Sequence, residues 1–199
     1  MFEGDQDIDI ASDLNHALDG TELELSQMIF QTDHLAPQEA RDFYKSPEYQ
    51  PLLAETVANT REKLDSGLGD KLMAWCRAND SERGLFDGRY RTIVAGALIM
   101  RAGAKIKEED VQHLREIVPL MNCNFGYAFP LWDHGFRHAG MVQFLAALDH
   151  YTAGTPRNYQ EPSCYTCGKV AADTGTAIKK CNGCDWAWYC DKVSLQSPS

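Results

Sequence analysis

Five of the seven cysteines, Cys164, Cys167, Cys181, Cys184 and Cys190, fall within 27 residues near the end of a 199-residue chain. Two of the intervals are Cys-x2-Cys, Cys164/Cys167 and Cys181/Cys184, with 13 residues between the pairs. Two residues between thiolates make a tight knuckle in which both sulfurs reach one Zn2+ at about 2.3 Å. Gly168 follows the first pair and Gly183 sits inside the second, where backbone freedom helps each turn to close. Two such knuckles can supply the four thiolates of a tetrahedral site. The amino terminus, MFEGDQDIDIASD, has neither a basic nor an apolar signal region. In a reducing compartment, clustered cysteines read as metal ligands rather than disulfides. The cofactor expected is therefore Zn2+.

The other residue types capable of chemistry form weaker patterns. His134 and His138 stand four apart with Asp133 adjacent, a spacing that can hold a metal, but the intervening Gly-Phe-Arg supplies no general base. Surface or capping roles suit these histidines better. There is no Gly-x-Ser-x-Gly elbow, no phosphate-binding Gly-x4-Gly-Lys-[Ser/Thr] loop and no Gly-x-Gly-x2-Gly. Cys76 and Cys123 are expected to be small buried apolar residues. Trp186, Trp188 and Tyr189 lie inside the cysteine segment, which is too small to bury them all, and exposed aromatic surface often marks a binding face.

The tail resembles the opening half of a MYND-type zinc finger. The resemblance rests on Cys-x2-Cys, a spacer, Cys-x2-Cys, five residues and a final cysteine preceded by an aromatic, Tyr189-Cys190, and it covers about residues 164–192. It implies two interleaved zinc sites, with Cys164, Cys167 and Cys190 in the first and Cys181 and Cys184 in the second. It also implies docking of short proline-containing segments of partner proteins, often in gene regulation. The sequence then departs from the pattern. Ser194 stands where a cysteine is expected, and the Gln, Trp, His and Cys of the following helix do not appear. Either the two knuckles close into one four-cysteine site with Cys190 spare, or the tail does not hold a fold. Asp185 and Asp191 are further candidate oxygen ligands. Lys192-Val193-Ser194 can be encoded AAG-GTA-AGT, which contains the usual start of a eukaryotic intron. A splice donor read through after Lys192 is therefore expected. Genomic sequence resuming Cys-Gln-x3-Trp-x2-His downstream would support it, and a stop codon without that continuation would exclude it.

Helices must position this module. Ser46-Pro47-Glu48 supplies an N-cap, a first-turn proline and an acid for a helix carrying Leu52, Leu53, Val57 and Leu64 that stops near Ser66-Gly67. A second helix starts near Asp70. Asp87 caps a third that runs to Gly103, a position suited to a left-handed C-cap. Val111, Leu114, Ile117 and Val118 mark a fourth over 107–121, and an apolar stretch over 130–151 marks a fifth. No alternating strand pattern precedes residue 160. The fold class expected is all-α: a helical domain over 21–153 followed by a small zinc-binding module over 164–199. Residues 1–20 read as an acidic flexible leader, and 154–163, with two prolines, as a linker.

Charge narrows the partners. The net charge is −10, and residues 1–50 hold 12 acids against 2 bases. Arg157, Lys169, Lys179 and Lys180 form no continuous basic stripe, and counterion release is the main source of nucleic-acid affinity. Nucleic acid is accordingly not the expected partner. No run of 18 apolar residues is present, so no membrane span is expected. An intracellular location, nuclear or cytoplasmic, is expected. The leading reading is a non-enzymatic adaptor working through a MYND-like finger. The alternative is an enzyme whose site lies in the helices, around Asp133, His134 and His138, with an accessory finger.

Overall fold

The computed structural model describes residues 5–21, 23–29, 42, 46–81, 87–121, 138–183 and 187–190. The protein is mostly helical. It divides into two compact units, one of Phe2–Met121 with Thr152–Arg157, the other of Asn122–Tyr151 with Asn158–Ser199.

In the first unit the described helices are α1 (Asp5–Asn15), α2 (Tyr49–Lys63), α3 (Gly69–Ala78), α4 (Gly88–Ala102) and α5 (Glu108–Ile117). Helix α4 is central because it is apolar on every side. Ile93, Val94, Leu98, Ile99 and Met100 are all buried, and α1, α2, α3 and α5 pack against it. Its ends follow the sequence. The Asp87 carboxylate accepts from the Arg89 and Tyr90 N–H groups at 2.9 and 3.4 Å, and Gly103 closes the far end at φ 74°. Helix α2 is capped by Ser46, whose Oγ accepts from the Tyr49 N–H at 3.1 Å. A π-turn over Leu64–Leu68, broken at Gly67, then separates α2 from α3.

Two segments differ from the sequence reading. Residues 5–15, expected within an acidic flexible leader, form α1, because Ile10, Ala11 and Leu14 share a face that covers α4 and leaves Asp9 and Asp13 outside. Asp7 is the buried acid, and it accepts a hydrogen bond from the Tyr90 hydroxyl. Asn15 then fixes the following turn by accepting from the Leu25 N–H at 2.6 Å and donating to Ser26 Oγ at 2.7 Å. The stretch read as a linker begins with a strap across the end of α4. Gly154 N–H donates to the Gly103 carbonyl at 2.8 Å and Arg157 N–H to that of Met100 at 2.9 Å. Its polar, proline-containing composition serves hydrogen-bonded turns.

Cys76 is fully buried in α3, and burial pushes its thiol up to about 12, so it acts as a small apolar residue. Asp110 on α5 is also buried, with Arg77 Nη1 3.2 Å from its carboxylate. Burial raises its pKa above the ordinary carboxylate range, although Arg77 opposes the shift. A group raised in the folded state contributes stability that is complete below its unfolded pKa and is lost as pH rises through its folded pKa. Asp110→Asn should therefore raise stability at pH 7 and remove the loss of stability that accompanies ionisation of Asp110 as pH rises. Urea denaturation from pH 4 to pH 8 measures both, and an unchanged profile would refute the assignment.

The second unit contains α6 (His138–His150), the one-turn α7 (Ala171–Thr174) and a two-stranded antiparallel sheet of β1 (Lys179–Lys180) and β2 (Trp188–Tyr189). Thus α6, expected as the last helix of the helical domain, shares its unit with the cysteine segment. Phe144, Ala147 and Leu148 of α6 are buried, as are Tyr159, Cys164, Val170, Ile178 and Ala187. The buried Gln143 side chain donates to the Tyr159 carbonyl at 3.0 Å. No helix among the described residues is long and apolar enough to cross a membrane.

Candidate metal centre

The first Cys-x2-Cys pair folds as a knuckle. Cys164 N–H donates to the Lys169 carbonyl and Gly168 N–H to the Cys164 carbonyl, both at 2.8 Å, while Ser163 bridges to Val170. The turn requires a glycine at 168 for two reasons. Its φ is +72°, and a Cβ there would sit inside the backbone carbonyl of Val142 on α6. The Asp173 carboxylate accepts from the Val170 N–H at 3.0 Å, which ties α7 to the end of the knuckle.

Strand β2 delivers the third sulfur. Lys179 pairs with Tyr189 and Lys180 with Trp188, and Cys181 N–H donates to the Ala187 carbonyl at 2.8 Å. Trp188 also bridges in parallel to Cys164, and its carbonyl accepts from the Tyr165 N–H at 2.8 Å. The chain therefore leaves β2 beside the knuckle. Cys190 Sγ comes within 3.7 Å of Cys167 Sγ, and the sulfurs of Cys164, Cys167 and Cys190 all lie within 4.8 Å of one another. Cys164 is buried, and the other two are half-buried.

This cluster fits a thiophilic cation. Metal–sulfur bonds of about 2.3 Å in a tetrahedron place sulfurs about 3.8 Å apart, close to the observed Cys167–Cys190 separation. Burial of Cys164 disfavours its thiolate, but the Cys190, Cys167 and Thr166 backbone N–H groups donate to its sulfur and bring its pKa below the ordinary thiol value. Cys190 is pushed up to about 12, by burial first and then by the neighbouring Cys164 and Cys167 sulfurs. Cys164 thus gives up its proton more readily than Cys190. A bound cation must displace the remaining protons, so affinity rises with pH.

The trio is the set that the resemblance assigns to a first site. Among the described residues it includes Cys190, which a single site formed from both knuckles would leave spare. Cys181 is not part of the cluster, and its N–H closes the β1–β2 hairpin. Cys184, Asp185 and Asp191 lie outside the described residues, as do Trp186, Cys123, Asp133 and His134, and the His138 side chain is likewise not described. Of the bases weighed for nucleic acid, Arg157 is buried.

One residue of interest was not singled out from the sequence. Tyr165, inside the knuckle, is 54% exposed and meets Tyr189 edge to face, with ring centroids 6.5 Å apart. Its signal was present in the sequence, as an aromatic between two ligand cysteines in a turn with no room to bury it. No known protein family, curated protein or solved structure matches this chain.

Proposed function

We propose that this chain is a zinc-binding adaptor that docks proline-containing segments of partner proteins through a MYND-like finger, in gene regulation. The observation that carries the reading is the sulfur cluster of Cys164, Cys167 and Cys190. Three cysteines within bonding reach of one cation suit Zn2+, which thiolate ligands favour and which has no redox chemistry of its own. Zinc there would supply a rigid cross-link between the knuckle and β2. The exposed Tyr165 ring against Tyr189 then offers a fixed aromatic surface beside the metal. Proline-rich segments favour such surfaces because their extended helix is already formed and loses little entropy on docking.

The test is zinc per chain by native mass spectrometry, together with titration of a fluorescent oligoproline peptide. Zinc should be retained, and Tyr165→Ala should weaken peptide binding at least tenfold without releasing it. A wild-type chain that holds zinc but does not bind the peptide would refute the docking role. A chain that holds no zinc would refute the whole reading.

A further inference from the structure

The same three sulfurs allow a second chemistry. Cys167 and Cys190 are both half-buried and stand 3.7 Å apart, whereas Cys164 is buried at 1% exposure. A disulfide needs its sulfurs at about 2.05 Å, so the pair must close by about 1.7 Å. Cys190 follows the last residue of β2, and Cys167 sits at the mouth of the knuckle turn. A Cys167–Cys190 bond would join the two segments that the cation joins.

We infer that Cys167 and Cys190 form a peroxide-sensitive thiol pair whose oxidation removes two of the three sulfurs from the metal centre. The metal consequence rests on the zinc reading above, but the pairing does not. Hydrogen peroxide is the oxidant. One thiol attacks it, giving a sulfenic acid and water, and the second thiol displaces another water to form the S–S bond. Each sulfur gives up one electron and the peroxide takes both. From the metal-bound form, all three sulfur–metal bonds break, three protons are taken from solvent, two to complete the two waters and one to leave Cys164 as a thiol, and the divalent ion departs. Cys164 remains as a single thiol, which cannot hold the ion by itself.

The full chain, metal-free in one sample and zinc-loaded in another, is treated with stoichiometric hydrogen peroxide. Free thiols are counted, released zinc is read with a chelating dye, and cross-linked peptides are mapped by mass spectrometry. The expected product has two fewer thiols and a Cys167–Cys190 cross-link in both samples. Zinc is released in step with the cross-link, and dithiothreitol reverses it. A cross-link between Cys164 and Cys167, a cross-link involving Cys181 or Cys184, oxidation to sulfinic acid, or intact thiols would overturn the inference. A Cys167–Cys190 cross-link in a chain that never takes up zinc would refute the metal reading and leave the pairing standing.

Discussion

Cys164→Ser should abolish metal binding and unfold the segment from Asn158 to Cys190, while α4 stays protected. Cys164 is the buried member of the trio and the sulfur that receives the backbone N–H groups. A serine hydroxyl is a hard donor that does not ionise at neutral pH, so a thiophilic cation would lose its best-prepared ligand. A complete structural zinc site contributes about 10–16 kcal/mol in small finger peptides. Losing the ion removes that contribution altogether, and it is as large as the whole stability of a small domain. Beyond residue 158 only Tyr159, Val170, Ile178 and Ala187 accompany Cys164 as buried apolar residues among those described. So small an apolar core does not hold the segment together without the metal. Native mass spectrometry reads the metal, and hydrogen exchange compares 158–190 with 88–102. Retained metal together with retained protection would refute the role given to Cys164.

Gly168→Ala should destabilise the second unit by at least about 3 kcal/mol and weaken metal binding with it. The left-handed conformation alone costs a non-glycine residue about 1–2 kcal/mol. The added Cβ also meets the carbonyl of Val142, which is helix backbone and cannot swing aside as a side chain could. Either α6 or the knuckle must move, and moving the knuckle breaks the Gly168 N–H bond to Cys164 that holds the first ligand in place. Gly175→Ala supplies the control. Its φ is +66°, yet nothing lies within 4 Å of the added Cβ, so the cost should stay near 1 kcal/mol. Urea denaturation of the metal-loaded chains separates the two. Equal losses would mean that conformation alone, and not the contact with α6, makes glycine necessary at 168.

These two residues illustrate how far the sequence could be read. Features settled within a few residues were legible. Ser46, Asp87 and Gly103 cap their helices as their chemistry requires, because a cap is a hydrogen bond or a backbone conformation spanning one turn. The knuckle at Cys164 and Cys167 was legible for the same reason. Helix α1 was not, because its few apolar residues are diluted by Asp5, Asp7, Asp9 and Asp13, and their periodicity is weak without a partner. What made them a core face is α4, some 80 residues later, which is apolar all round and must be covered. The strap at 152–157 was hidden in the same way. Its prolines and glycine announce a turn but not the helix end that the turn bonds to.

The cysteines divide along the same line. Their number, their two-residue intervals and their suitability for a thiophilic metal belong to the sequence alone, since ligand type and knuckle length are local properties. Which of them share a site does not. Cys181 has the spacing to join Cys164 and Cys167, but among the described residues it is Cys190 that joins them. The pairing of β1 with β2 and the bridge from Trp188 to Cys164 carry Cys190 alongside the knuckle. Strand pairing satisfies backbone groups across many residues of chain, and spacing along the chain does not record it. The sequence therefore determined what the site is made of, and the tertiary hydrogen bonds decided which three of the described sulfurs come together.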